Sequence, residues 1–148
     1  HFATLSWQEK FKGMYASANM NGEKIHFLLP QTYMNLSGES VRPALDFFKL
    51  DVDDVVVIHD ELDLELGDIR IKKGGGHAGH NGLKSLIQHL GTPDFRRVRF
   101  GIGHPGRKDL VSPYVLGRFM AEEVPAVEQG CDKITKAFPD WLDENWKV

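Results

Sequence analysis

The sequence has few features of a membrane protein or of a protein from an oxidising compartment. Among 148 residues there is a single cysteine, Cys131, which excludes an internal disulfide framework and fits a reducing cytoplasm. No apolar run approaches the roughly 20 residues that a membrane-spanning helix needs. Residues 1–4 contain neither an initiator methionine nor a signal-peptide pattern, so we expect that residues have been removed before them. The sequence predicts a cytoplasmic protein that does not enter a membrane.

Acidic residues are scarce in one segment. The chain as a whole has a net charge of −3, but residues 66–108 contain nine basic and two acidic residues, which gives this segment +7. A basic surface is typical of a protein with a phosphate-rich partner. A solvated face without a partner explains the same charge pattern about equally well.

Helical and strand patterns alternate along the chain, which predicts an α/β protein. The length suits one domain over residues 1–148. We expect a mixed, mostly parallel twisted sheet flanked by helices. The predicted strands are 14–20, 24–29, 55–58, 68–73 and 97–102, and the predicted helices are 37–48, 81–90, 121–138 and 141–146. Asn21-Gly22 predicts a hairpin turn, Ser37 a helix cap, and Pro43 a first-turn position.

One acidic side chain is placed where ligands commonly bind. Val55 to Ile58 form an apolar run that predicts a short, buried, central strand, and Asp60 follows shortly after it. In open α/β sheets, ligands bind beyond the carboxyl ends of the strands. Asp60 is therefore a candidate site residue, whereas His59 should point to the opposite face and pack.

A glycine-rich segment is the second candidate. Residues 74–82 contain five glycines together with His77, His80 and Asn81. Glycines allow positive φ angles and a close approach of the backbone to a ligand. Helical spacing begins at Asn81, and the N–H groups at a helix N-terminus favour an anion or an oxyanion. Asn35 and Asn81 carry amides, which stabilise an oxyanion without bringing charge.

Two other chemistries are suggested by overlapping sets of residues. Residues 101–106 match G-x-G-x-x-G, but Pro105 and Gly106 predict a turn rather than the helix that a dinucleotide site needs. A metal site is the stronger competitor, because imidazoles and carboxylates are plausible ligands. These residues are His59, Asp60, Glu61, Asp63, His77 and His80. The two loop histidines lack i, i+4 helical spacing, however, so we predict no metal.

Four motifs in order give the chain a specific resemblance. Residues 32–38 (Thr-Tyr-Met-Asn-Leu-Ser-Gly), 59–63 (His-Asp-Glu-Leu-Asp), 74–83 (Gly-Gly-Gly-His-Ala-Gly-His-Asn-Gly-Leu) and 101–106 (Gly-Ile-Gly-His-Pro-Gly) resemble bacterial peptidyl-tRNA hydrolases. The resemblance implies an α/β fold, a monomer without metal or other cofactor, and peptidyl-tRNA as the partner. The implied reaction is hydrolysis of the ester between peptide and tRNA, which recycles tRNA from stalled translation.

The resemblance also implies roles for individual residues. Asp60 would orient a catalytic histidine and raise its basicity. Asn35 would bind the peptide and position the attacking water, and Asn81, supported by His80, would hold the carbonyl or the water. Tyr33 would add to the substrate site. Lys72 and Arg99 would bind a tRNA phosphate, which agrees with the outward positions that strand alternation predicts for both. The same alternation predicts an outward position for Arg97.

One departure from the family pattern leads to a further expectation. The family's catalytic histidine lies near the N-terminus in an Arg-His-Asn-x-Gly motif after a first strand, and neither motif occurs here. We therefore expect a fragment that lacks this strand and has little activity alone. The alternatives are a non-catalytic RNA-binding relative on the same fold and a metal-dependent hydrolase.

Overall fold

The computed structural model describes residues 5–20, 22–103 and 122–142, with side chains described up to residue 138. These residues form two compact units. The first lies within His1–Val55 and Gly74–Phe95, and the second within Val56–Lys73 and Arg96–Val148. A single domain over the whole chain stays a prediction. No helix of the described ranges is both long enough and apolar enough to cross a bilayer.

The first unit contains an antiparallel sheet of three strands in the order β1-β2-β3. These are β1 (Gln8–Lys10), β2 (Gly13–Met20) and β3 (Glu23–Pro30). The predicted hairpin of β2 and β3 is confirmed, with Gly22 at φ 81° in the turn. β1 has no counterpart among the predicted strands, because three residues are too few to establish an alternating pattern.

Two helices complete the first unit, α1 (Gly38–Phe48) and α2 (Asn81–Leu90). They pack closely at Gly38, where an added Cβ would lie 2.6 Å from the backbone oxygen of Ser85. The predicted end of α2 is confirmed, since Gly91 adopts the left-handed conformation that closes a helix. Buried leucines on both helices supply apolar packing: Leu45, Leu83, Leu86 and Leu90.

Two predictions about α1 are wrong. Ser37 precedes the helix, but its hydroxyl does not cap it. Instead the Ser37 hydroxyl donates to the Met34 carbonyl at 2.8 Å, because Met34 to Leu36 form a preceding 3-10 turn. Pro43 is the sixth residue of α1 and thus lies in its second turn. There it removes one backbone hydrogen bond, a cost that the surrounding packing must offset.

The second unit contains a mixed sheet in the order β4-β6-β5. Its strands are β4 (Val56–Glu61), β5 (Ile69–Lys73) and β6 (Arg96–Gly101). β6 pairs antiparallel with β5 and in parallel with β4. The β4–β6 pairing is the one parallel pairing in the described part of the chain. The sheet is mixed, as predicted, but the pairings among the described residues are mostly antiparallel and not mostly parallel, because the hairpin strands form a separate antiparallel sheet. Among the described residues β4 lies at the edge of the mixed sheet, and Ile58 is 54% exposed. The prediction of a buried, central strand there is therefore wrong, and β6 is central instead.

The core of the second unit joins the sheet to α3 (Val124–Leu142). Ile69, Val98 and Ala137 are its buried members, with Phe100 packed against them. This confirms the inward side of β5 and β6. The outward position predicted for Arg97 is wrong, since this residue is 2% exposed on the central strand. The predicted helix 141–146 begins inside α3 and otherwise lies outside the described residues, as do 104–121.

Candidate functional site

A cavity of about 510 Å³ in the first unit is the candidate site. Two segments form it: the 3-10 turn that follows β3, and the first two turns of α2. The described residues of its lining are mostly polar and include one cation and no carboxylate. The lining residues are Tyr33, Met34, Asn35, Asn81, Lys84, Ser85 and Gln88. The structure thus brings together three of the residues predicted from the sequence, Tyr33, Asn35 and Asn81.

Close packing at Gly82 determines how the two segments of the cavity meet. A Cβ added there would lie 2.7 Å from the Met34 sulfur and 3.0 Å from Cε1 of His80. Gly82 is helical and has a negative φ, so steric space rather than backbone freedom requires glycine at this position. Ser85 is also fixed, since its Oγ accepts a hydrogen bond from the Gly38 N–H at 2.9 Å. The wall of the cavity is therefore held from within the unit.

The glycine-rich segment leading to α2 adopts the backbone predicted for it. Gly74, Gly75 and Gly79 have φ angles of 77°, 94° and 82°. The imidazole of His77 shapes the turn, because its Nδ1 accepts a hydrogen bond from the Gly79 N–H at 3.0 Å. The His80 N–H closes the same turn by donating to the His77 carbonyl at 2.8 Å.

His80, and not Asn81, caps helix α2. Its Nδ1 accepts a hydrogen bond from the Leu83 N–H at 3.2 Å, in the geometry of an N-cap side chain. Asn81 is the first helical residue and is exposed. The side-chain amides of Asn81 and of Asn35, in the 3-10 turn, have no hydrogen-bond partner among the described residues. Both are available to a ligand in the cavity.

Asp60 belongs to the second unit. It is the penultimate residue of β4, half-buried, and paired in register with Phe100 of β6. The predicted strand ended too early, at residue 58, whereas β4 continues through Glu61. His59 is half-buried with its Nδ1 2.8 Å from the Asp60 carbonyl oxygen. The convergence of Asp60 with the two amides stays a prediction.

Basic side chains collect on one face of the second sheet. Cross-strand partners share a face, and the partners here are Arg70 with Arg99 and Lys72 with Arg97. Asp60, paired with Phe100, projects from the other face. Lys72 is exposed, as predicted, and has no ion-pair partner among the described residues. Arg99 is only half-exposed, because its Nε lies 3.0 Å from Oε1 of Glu61.

The competing chemistries find little support in the described residues. No three His, Cys, Asp or Glu side chains within 5–20, 22–103 and 122–142 are grouped as metal ligands. In the G-x-G-x-x-G match, Gly101 ends β6 and its place is explained by packing, since an added Cβ would lie 2.8 Å from Cβ of Leu64. Positions 104–106 lie outside the described residues.

Four lining residues were missed by sequence reasoning: Met34, Lys84, Ser85 and Gln88. The last three had a usable signal. They follow Asn81 at spacings of three, four and seven, which places them along one face of the helix that Asn81 begins. Met34 had no such signal, because its contact with Gly82 depends on the tertiary structure.

Comparison with known proteins places this chain in a family. The family model described as peptidyl-tRNA hydrolase matches residues 1–148. A Bacillus cereus peptidyl-tRNA hydrolase is 48% identical over 137 residues, which covers 93% of this chain and 74% of that protein. One from Oceanobacillus iheyensis is 51% identical over 133 residues, covering 90% and 71%. The chain belongs to the peptidyl-tRNA hydrolase family.

A solved structure shows the same relationship at the level of the fold. The crystal structure of peptidyl-tRNA hydrolase from Acinetobacter baumannii matches with a TM-score of 0.79 and 42% sequence identity. The match covers 84% of this chain and 64% of that one, so the chain spans somewhat less than two thirds of that structure's length. The α/β fold predicted from the motifs is confirmed.

Proposed function

We propose that this chain hydrolyses the ester bond between the peptide and the tRNA in peptidyl-tRNA. The observation that supports the proposal is the cavity lined by Asn35 and Asn81, whose amides have no hydrogen-bond partner among the described residues, in a chain of this family. Water attacks the ester carbonyl carbon, negative charge develops on the carbonyl oxygen, and the ribose oxygen leaves with a proton derived from the water. Amide N–H groups stabilise such an oxyanion, and each good donor contributes about 2–4 kcal/mol.

Within this proposal Asn35 holds the peptide and the attacking water, and Asn81 holds the carbonyl oxygen. His80 supports Asn81 by capping α2, which fixes the first helical residue. Tyr33 is 82% exposed and offers a ring surface to the peptide at the rim of the cavity. Asp60 accepts a hydrogen bond from an imidazole and favours its protonated form, the role of a carboxylate beside a general base.

Lys72 and Arg99 bind a phosphate of the tRNA in this proposal. They lie diagonally across β5 and β6 on the face that also carries Arg70. Phosphate contacts position the substrate without depending on base sequence, as an enzyme for all tRNAs requires. Lys72→Ala and Arg99→Ala should weaken binding about equally for different tRNAs. Each should also reduce the salt dependence of binding by about one unit of slope.

The decisive experiment compares three asparagine variants in the hydrolysis of N-acetyl-aminoacyl-tRNA. The variants are made in the protein expressed from its full reading frame, because residues 1–148 do not contain the Arg-His-Asn-x-Gly motif and are expected to have little activity alone. Asn81→Ala should lower kcat/KM by about 10²–10³-fold, the usual loss on removing an oxyanion donor. Asn35→Ala should lower it by about 10²-fold, because the peptide and the attacking water are then held less well in place. Asn19→Ala is the matched control, because Asn19 is exposed on the β2–β3 hairpin. Full activity in both site variants would overturn the assignment of the two amides.

The same experiment tests the runner-up function, a non-catalytic RNA-binding protein on this fold. The cationic face that includes Lys72 and Arg99 favours it, since RNA binding draws on basic side chains and needs no catalytic group. Salt-dependent tRNA binding without any cleavage of the ester, by the protein expressed from its full reading frame, would establish this alternative. We further propose that the protein is a monomer and that it acts in the cytoplasm, where its tRNA substrates occur. Light scattering in solution tests the oligomeric state.

A further inference from the structure

Lys84 brings a positive charge into the cavity that none of its described neighbours neutralises. Its side chain lines the cavity beside Asn81 and Ser85, and none of the seven lining residues is acidic. Lys84 is exposed and has no ion-pair partner among the described residues. The residues three and four positions away on the same helix, which are its natural partners, include no carboxylate.

Helix stability does not account for this lysine. It is the fourth residue of α2, near the positive end of the helix dipole, where a cation is unfavourable. The first turn of α2 also contains no acidic residue that would compensate it. A lysine in this position weakens its own helix slightly. The position of Lys84 in the cavity is therefore a better explanation for this residue than helix stability.

The order of side chains along α2 indicates which part of a substrate meets Lys84. Asn81, Lys84 and Gln88 follow one another at helical spacing on the face that lines the cavity. Neighbours at this spacing have Cβ atoms about 5–6 Å apart. If Asn81 holds the ester carbonyl, a peptide extending along the helix passes Lys84 within its first two residues.

We propose that Lys84 makes this site selective for the charge of the peptide, favouring acidic side chains over basic ones in the two residues nearest the ester. This inference rests on the proposed function, since it takes the cavity to be the peptide site. A half-solvated pair of charges contributes a modest free energy. The expected preference is therefore about threefold for Glu over Gln, and about tenfold for Glu over Lys.

The test measures binding and so does not depend on turnover. The ligands are 3′-amino-3′-deoxyadenosine amides of N-acetyl-X-Ala, with Glu, Gln or Lys at X, titrated by calorimetry at low and high salt. The chain should bind them in the order Glu, Gln, Lys, with the differences compressed at high salt. Lys84→Gln should bring the three affinities within about twofold, and Lys84→Glu should reverse their order.

Lys133→Gln is the matched control, because Lys133 is an exposed lysine of α3 outside this cavity. It should leave the order unchanged. Equal affinities in the unmodified chain, or a preserved order in Lys84→Gln, would overturn the role of Lys84 alone. If the Gln ligand binds no better than 3′-amino-3′-deoxyadenosine itself, the cavity is not the peptide site, and the proposed function fails together with this inference.

Discussion

If Arg99 binds a tRNA phosphate as proposed, its ion pair with Glu61 limits that contact, and removing the charge of Glu61 should strengthen tRNA binding. The Glu61 carboxylate lies 3.0 Å from Nε of Arg99, and the two side chains are 17% and 28% exposed. In the proposed role of Arg99, a tRNA phosphate competes with this carboxylate for the guanidinium. Glu61→Gln keeps the size and the hydrogen-bond acceptor but releases the positive charge of Arg99.

The magnitude of the effect follows from the number of charges involved. An additional neutralised phosphate steepens the dependence of log K on log salt by about 0.7–0.9. Between about 50 and 200 mM salt this slope change corresponds to about a threefold change in affinity. The largest gain is therefore expected at low salt. Loss of the partly buried pair should also lower the free energy of unfolding by about 1 kcal/mol.

Fluorescence anisotropy with labelled tRNA across a salt series measures both the affinity and the slope. Glu65→Gln is the control, since Glu65 is exposed in the β4–β5 connection and makes the same change in net charge. If the slopes of Glu61→Gln and Glu65→Gln are equal, the effect is one of net charge, and Arg99 is not a phosphate ligand held back by Glu61. Denaturation in urea measures the accompanying change in stability.

Three further predictions concern the first unit. Burial, and secondly the charge of Lys24, lower the pKa of His26, so the unfolding free energy should fall as pH drops below about 6.5. Urea denaturation at several pH values measures this fall. If His26→Gln shows the same fall in unfolding free energy as the unmodified chain, His26 is not its cause. Lys10 has its ammonium 4.3 Å from the Phe47 ring centre, and Lys10→Met should lower the unfolding free energy by about 1 kcal/mol while Lys10→Arg retains it. Gly82→Ala should displace Met34 and reduce kcat/KM about tenfold or more with little change in Tm; unchanged activity would refute this steric argument.

The sequence was most informative where local pattern and tertiary role agree. Helix α2 (Asn81–Leu90) was predicted with both ends correct, because its apolar spacing is regular and Gly91 closes it. The β2–β3 hairpin was also predicted, since Asn21-Gly22 lies between two alternating segments. In both cases the information lies within about ten neighbouring residues.

Prediction failed where the result depends on distant contacts. The turn between β1 and β2 places Phe11 and Lys12 at φ 56° and 55°, which local preference would assign to Asn and Gly. It is held by tertiary contacts, including the Gln31 N–H donating to the Lys12 carbonyl at 3.0 Å and the Lys12–Glu39 ion pair. The burial of Arg97 likewise has no local signal, because Arg97 and Arg99 occupy equivalent places in the alternation of β6 and only Arg97 is buried.

The two site amides show why the candidate site was only partly visible in the sequence. Taken singly, Asn81 resembles a helix cap and Asn35 a loop residue. In the structure, nearby residues make the local hydrogen bonds instead, since His80 caps α2 and the Ser37 hydroxyl donates to the Met34 carbonyl of the 3-10 turn. Neither amide is therefore needed to hold the backbone around it. A reaction that develops an oxyanion requires hydrogen-bond donors that are free to bind the substrate. Both amides line one cavity and make no hydrogen bond to the described residues, so we attribute them to substrate binding rather than to stability.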